Sequence, residues 1–307
     1  MADINWYPGH MHKASKEMRK IVPQVDLIIE ILDARIPFSS ENPMLADIRA
    51  DKPCIKVLSK SDLADPIITQ QWQDYLEQEK GVKTIALTTE EPEKMHGLLS
   101  LCRKMVPAKE NGDERIESMI MGIPNVGKST LINNLAGRMI ARTGNEPAVT
   151  KNQQRIKLDQ GIVLLDTPGV LWPKLENKHG GYRLAITGAI KETAVSNDDI
   201  AMYAVGYFRH AYPELLKARY QLDELPEDEI ILLEMIGAKR GCLRAGGRVD
   251  VDRSAKILLT EFRDITIGRI TLETPAMMEA ELIEVAEIRA IKEAKKAAKK
   301  QKRHGSR

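Results

Sequence analysis

The stretch Gly122-Ile-Pro-Asn-Val-Gly-Lys-Ser129 has the spacing G-x-x-x-x-G-K-S. Glycines at those positions let backbone N–H groups wrap an anion, and the positive end of a following helix adds to the attraction. Lys128 is placed to reach the β- and γ-phosphates of a nucleotide, and Ser129 to hold Mg²⁺ through its hydroxyl. Asn125, Val126, Gly127, Lys128, Ser129 and Thr130 are therefore candidate nucleotide ligands. Asp166-Thr-Pro-Gly169 is a D-x-x-G. In that pattern Asp166 meets Mg²⁺ through water and the Gly169 N–H meets the γ-phosphate. The third group is Ser59-Lys-Ser-Asp62, which differs from the guanine-reading N-K-x-D only at its first residue. Asp62 would accept from the guanine N1–H and 2-amino groups, which adenine does not match, and Lys60 would lie along base and ribose. Ser59 and Ser61 complete this loop. Alone, such a tetrapeptide reads as a solvated turn; beside the other two motifs it reads as a base site.

The surrounding pattern supplies the elements that must position these groups. Ile116–Met121 is mostly apolar and reads as a strand, and Thr130–Ala136 reads as a helix closed by Gly137, so the phosphate loop lies between strand and helix. Met11, Ala14, Met18, Ile21 and Val22 recur at helical spacing over His10–Val22, and Pro23 ends the helix. Val25–Leu32, Cys54–Ser59 and Thr84–Thr88 read as strands, with helices over Pro66–Lys80 and Glu93–Met105. Strands alternating with helices imply parallel crossovers and a doubly wound sheet. Gln154–Leu158 and Gly161–Leu165 read as an antiparallel hairpin that ends in the D-x-x-G.

Composition bounds the rest. The chain has 307 residues, 43% hydrophobic and 29% charged, a globular balance with room for two domains. The sequence offers neither a membrane span nor a signal peptide. The three cysteines, Cys54, Cys102 and Cys242, are scattered, which argues for a reducing cytoplasm and against a disulfide framework. Net charge is only +2, so no global field drives the chain onto nucleic acid, although the C-terminus is strongly basic.

The order of the motifs is itself informative. Nothing like N-K-x-D follows Gly169, whereas Ser59-Lys-Ser-Asp62 precedes the phosphate loop. The sheet therefore reads as circularly permuted. With Trp6-Tyr-Pro-Gly-His-Met11, Asp33-Ala-Arg-Ile-Pro37, Gly237-Ala-Lys-Arg-Gly-Cys242 and Gly246-Gly247, the chain resembles the circularly permuted ribosome-assembly GTPases of the YlqF/RbgA type almost end to end. The resemblance implies an α/β, doubly wound GTPase domain over 1–174, a smaller helical RNA-binding domain over 175–290, and a basic, disordered tail over 291–307.

It also implies roles for further residues. His10 takes the catalytic place left by Val170, which stands where many GTPases carry a water-orienting glutamine. Permutation makes this physically reasonable, because in the unpermuted fold the chain after D-x-x-G enters the helix that here is N-terminal. Thr150 matches the switch threonine that senses Mg²⁺ and the γ-phosphate. Thr88 and Thr89 stand where the family carries a Ser-Ala pair near the guanine O6, and Ser59 replaces asparagine with a shorter side chain, so weaker guanine binding is expected. Asn125 matches the asparagine of potassium-activated GTPases.

In the second domain, Leu175–Gly181 reads as a linker, Ser196 and Asp252 as helix caps, and a further helix follows Pro226. Lys239, Arg240, Arg244 and Arg248 crowd a glycine-rich loop: a solvated turn on its own terms, an RNA contact by resemblance. The whole implies a cytoplasmic, monomeric GTPase that binds the large ribosomal subunit and its rRNA. It uses GTP, Mg²⁺ and potassium, and couples hydrolysis to late maturation and to its own release. The alternatives are an RNA-binding scaffold with a weakened nucleotide site, or a P-loop enzyme acting off the ribosome.

Overall fold

A computed structural model describes residues 9–49, 51–88, 91–107, 115–140, 154–172, 175, 177–190 and 195–304. The chain opens with α1 (Gly9–Ile21), whose Met11, Ala14 and Met18 are buried at helical spacing, and a 3-10 turn containing Pro23 stops it. Then follow β1 (Leu27–Asp33), α2 (Pro37–Ser40), α3 (Pro43–Arg49), β2 (Cys54–Ser59), α4 (Pro66–Leu76), β3 (Val82–Ala86), α5 (Pro92–Met105), β4 (Ile116–Gly122) and α6 (Lys128–Leu135). The hairpin β5 (Gln154–Lys157) and β6 (Ile162–Asp166) closes the first domain. β3 lies two residues ahead of the expected Thr84–Thr88 run, so Leu87 and Thr88 already belong to the loop at its C-terminal end.

These strands form a six-stranded sheet in the order β3-β2-β1-β4-β6-β5, parallel except for the β5–β6 pair. β1 is buried along its whole length, as a strand covered on both faces must be. The chain winds outward from β1 to β3, then returns to place β4 on the other side of β1. That reversal puts a crevice outside the carboxyl ends of β1 and β4, where open α/β sheets bind ligands. The phosphate loop follows β4, the Asp33 loop follows β1, and the Ser59 loop follows β2.

The second domain is helical: α7 (Lys178–Ile186), α8 (Asn197–Ala211), α9 (Pro213–Tyr220), α10 (Glu229–Lys239), α11 (Val251–Arg263) and α12 (Pro275–His304). Ile200, Ala204, Phe208, Leu258, Leu259 and Phe262 bury the faces of α8 and α11 against each other and α10. The stretch expected as a linker already enters α7, capped by Asn177, whose side chain accepts from the N–H groups of His179 and Gly180. Ser196 stands at the N-cap of α8 but its side chain makes no capping bond. Asp250, not Asp252, caps α11 by accepting from the Arg253 N–H. The basic residues from 291 continue α12 to His304 instead of forming a disordered tail.

The two domains are joined by more than the chain. Residues 270–273, ahead of α12, run beside the loops after β1 and β2: Ile270 donates to the Leu63 carbonyl, Asp65 N–H to Thr271 Oγ1, Leu272 to the Arg35 carbonyl, and Ser39 N–H to the Glu273 carboxylate. Buried Arg183 of α7 then pairs with Glu281 of α12 at 2.6 Å and Glu273 at 3.3 Å.

Candidate nucleotide site

The phosphate loop turns tightly under its own constraints. Asn125 and Gly127 both hold left-handed backbone, with φ of 58° and 94°. At Gly122 an added Cβ would lie 2.7 Å from the Ile31 carbonyl oxygen and 2.9 Å from Val126, so only glycine lets β4 pass this close to β1. The D-x-x-G seats against the same loop. A Cβ on Gly169 would come within 3.1 Å of the Pro124 backbone, and the Val170 N–H donates to the Gly122 carbonyl at 3.2 Å. Phosphate loop and D-x-x-G thus form one wall of the crevice.

At its floor Lys128 Nζ donates to Asp166 Oδ1, both side chains buried. Burial pushes the Asp166 carboxyl up and the Lys128 ammonium down, and their mutual attraction only partly offsets this. The second Asp166 oxygen, Oδ2, is buried with no hydrogen-bond partner among the described residues. A buried carboxylate oxygen left unpaired is costly. A divalent cation held by Asp166 and the Ser129 hydroxyl would satisfy it, so these residues fit Mg²⁺.

The permuted base loop is brought to the phosphate loop. Ser59 pairs in register with Asp33 across β2 and β1. Its hydroxyl sits 2.8 Å from the Leu32 carbonyl and 2.5 Å from the Val126 carbonyl. Lys60, left-handed at φ 55°, donates its Nζ to the Asn125 carbonyl at 2.6 Å and to Asp33 Oδ2 at 3.0 Å. Asp62 follows in a short 3-10 turn, half-buried, and its carboxylate accepts no hydrogen bond from the described residues. Thr88 is buried at the end of β3, and the Ser61 N–H donates to the neighbouring Leu87 carbonyl at 3.3 Å. Asn125 turns its amide away from the base loop: Nδ2 donates to the Gly188 carbonyl, past the C-terminus of α7, at 2.8 Å.

Thr89 and Thr150 lie outside the described residues, as does the side chain of His10, whose backbone is in the first turn of α1. Val170 is buried at 2% exposure, so no polar group follows Gly169. Of the basic loop, Arg240 pairs with Glu261 and Arg244 with Asp250, while Lys239 and Arg248 stand exposed around the turn closed by the Leu243–Val249 bridge.

Sequence reasoning left Asp33 and Arg35 without a role, though both are buried at the crevice. The available signal was a pair of charges two apart at the carboxyl end of an apolar strand.

Residues 117–231 match the family described as 50S ribosome-binding GTPase. The ribosome biogenesis GTPase A of Priestia megaterium is 45% identical over 287 residues, spanning 91% of this chain and 99% of that protein. The chain belongs to the ribosome biogenesis GTPase A family. The protein of the same name from Thermotoga maritima is 29% identical over 272 residues, 89% of this chain and 95% of that one. The GNP-bound structure of YlqF from T. maritima superposes with a TM-score of 0.59 at 27% identity, over 86% of this chain and 98% of that one. The GDP-bound structure of TM YlqF gives 0.60 at 26% identity, over 85% and 99%.

The chain is a circularly permuted α/β GTPase domain followed by a helical domain. The chain binds guanine nucleotide, hydrolyses GTP and serves in ribosome assembly. Neither a scaffold with an inert nucleotide site nor an enzyme acting off the ribosome is favoured. No helix among the described residues is long and apolar enough to cross a membrane.

Proposed function

We propose that this GTPase works as a monomer in the cytoplasm on the maturing large ribosomal subunit, contacts its rRNA, and leaves it upon hydrolysis. The units are a GTPase domain over 1–174 and a helical, RNA-facing domain from 175, with the basic end of α12 adding nonspecific attraction to phosphates. Lys239, Arg240, Arg244 and Arg248 present charge to the RNA backbone.

The observation that carries the nucleotide reading is the bond from Lys60 Nζ to the Asn125 carbonyl. It joins two loops distant in sequence at one crevice, base side to phosphate side. Guanine lies against Lys60 and is read by Asp62, with Ser59, Ser61, Thr88 and Thr89 shaping the pocket. The backbone from Asn125 to Thr130 cradles the phosphates, Lys128 leaves Asp166 for the β- and γ-oxygens, and the Gly169 N–H meets the γ-phosphate. Ser129, Asp166 and Thr150 hold Mg²⁺, which when bound neutralises charge on the phosphate oxygens. Asn125 offers a ligand for potassium. His10 orients the attacking water in place of the residue after Gly169.

Turnover of GTP against ATP, and cosedimentation with purified ribosomal subunits with and without a non-hydrolysable GTP analogue, test this reading. Equal use of ATP removes the base site; binding to the small subunit alone removes the proposed partner.

A further inference from the structure

The loop Asp33-Ala-Arg-Ile-Pro37 supplies no group to the phosphates, yet Asp33 and Arg35 are each only 2% exposed. Charges so deeply buried persist when each is paired and hydrogen-bonded. Arg35 clamps Asp33 from two directions. Its backbone N–H and its Nε donate to Oδ1 at 3.1 and 2.9 Å, and its Nη2 donates to Oδ2 at 2.8 Å. Oδ2 also accepts Lys60 Nζ at 3.0 Å, and that same Nζ donates to the Asn125 carbonyl at 2.6 Å. Asp33 is thus fixed by one cation and aims another. Burial would raise its carboxyl, but Arg35 and Lys60 hold it well below the usual carboxylate range, so it stays ionised.

Arg35 is in turn held by the helical domain. Its guanidinium carbon lies 5.2 Å from the ring centroid of Phe262 in α11, and its carbonyl accepts the Leu272 N–H at 2.8 Å. Ile270 and Thr271 meanwhile bond the segment just after Lys60, at Leu63 and Asp65. Both ends of the base-side loop system are therefore pinned from the second domain. The left-handed backbone of Lys60, costly for a residue with a Cβ, gives that pinning something to hold.

We propose that Arg35 is a positioning residue for guanine-nucleotide binding: clamped on Asp33 and braced by Phe262, it fixes the carboxylate that aims Lys60 at the nucleotide crevice, so the helical domain sets nucleotide affinity from the base side. This rests on the reading that the base lies against Lys60. A planar guanidinium is needed because it alone engages both carboxylate oxygens while stacking on a ring. With a lysine in its place, Asp33 rotates onto Lys60 and draws its ammonium off the Asn125 carbonyl.

The experiment is a double-mutant cycle on the full chain, read by GDP and GTP-analogue affinity and by turnover at saturating GTP. Arg35→Lys is expected to weaken both nucleotides about tenfold, the worth of one charge-assisted hydrogen bond, with saturated turnover unchanged. In a Lys60→Ala background Arg35→Lys should add no further loss, because residues acting through one contact are not additive. Full additivity, or unchanged affinity in Arg35→Lys, overturns the proposal. If Lys60→Ala itself binds normally, the base-site reading falls and the proposal with it; if Lys60→Ala is weak and Arg35→Lys is normal, only the proposal falls. Should Arg35→Lys not fold, Phe262→Leu carries the same cycle from outside the GTPase domain. Its expected loss is about threefold, the worth of a cation–π contact, absent once Lys60 is gone; an additive loss again overturns it.

Discussion

The Ser59 hydroxyl lies within hydrogen-bond distance of two carbonyls at once, Leu32 on β1 and Val126 in the phosphate loop. It has one proton to share between them, and both acceptors are backbone. Ser59 therefore acts as a tie that holds the phosphate loop to the end of the sheet, and on the proposed reading base discrimination falls to Asp62. Ser59→Ala should weaken GDP and GTP alike by about 1 kcal/mol, the worth of one neutral hydrogen bond. Guanine preference over adenine should be intact. Titration calorimetry with GDP, GTP analogue and ATP checks both parts. A loss of guanine preference in Ser59→Ala would return Ser59 to the base; Asp62→Asn is the variant expected to show it.

The helical domain has its own point of minimum tolerance. A Cβ at Gly237 would lie 2.0 Å from Ser254 Oγ and 2.6 Å from a Val249 methyl, where α10 meets α11. Ser254 is fully buried and its hydroxyl is bonded to the Asp250 carbonyl, so it does not yield cheaply. Gly237→Ala should destabilise the protein by about 1–3 kcal/mol, the range of overpacking in a core, despite alanine's better helix propensity. Urea unfolding gives the value; a gain in stability would show that the helices can part at no cost.

Glu30 carries a pH dependence whose sign is opposite to that of most carboxylates. It is buried on β1, where burial and the charge of Glu41 push it up to about 8 against the pull of Lys56. Between its ordinary value and that one, the folded state keeps a proton that the unfolded chain releases. Stability therefore falls as pH rises through this window, by at most about 1.4 kcal/mol per pH unit. Glu30→Gln should flatten the slope between pH 5 and 8 in urea unfolding. An unchanged slope in the variant would move the effect to another group.

Much of this was open to reading in the sequence, for physical reasons that also set the limits. The phosphate loop is specified by local backbone needs, so its glycines and Lys128 announce themselves, and the parallel strands are apolar runs because both faces are covered. The permutation was legible because the order of motifs is a fact of the chain. Helix α7 was not. Its Gly180-Gly181 pair looks like a breaker, and what holds the helix is a cap and tertiary pairing: Asn177 caps it and buried Arg183 pairs with Glu273 and Glu281. The cap of α11 was misplaced by two residues because Asp250 and Asp252 are equally plausible until the bond to the Arg253 N–H is known. The Asp33–Arg35 pair escaped because its meaning depends on Lys60 and Phe262, which are far away in sequence.

The position after Gly169 decides how this GTPase must be switched on. Val170 is buried, its N–H donates to the Gly122 carbonyl, and its carbonyl accepts Asn42 Nδ2 at 3.3 Å. Backbone and side chain are both committed to the wall of the crevice, so a glutamine placed there would be buried in the core and unable to align water. Val170→Gln should therefore lose stability, by about 1–3 kcal/mol for a buried amide without partners, and gain no rate. The isolated chain should be slow. On the proposed reading Lys128, Ser129 and Asp166 suffice to bind nucleotide, but His10 belongs to a separate helix at the other end of the domain's sequence. A group that must be positioned contributes little until something orders it. Docking on the large subunit, the proposed partner, would supply that order, and completing a catalytic set in trans is worth about 10³–10⁵ in rate in comparable phosphoryl transfer. Single-turnover hydrolysis by wild type, Val170→Gln and His10→Ala, each with and without purified large subunits, separates the steps. The expected result is strong stimulation of wild type, weak stimulation of His10→Ala at unchanged GTP affinity, and no fast intrinsic rate in Val170→Gln. Rapid turnover by Val170→Gln alone would show that the wall can open, and an unimpaired stimulated rate in His10→Ala would take the histidine out of the reaction.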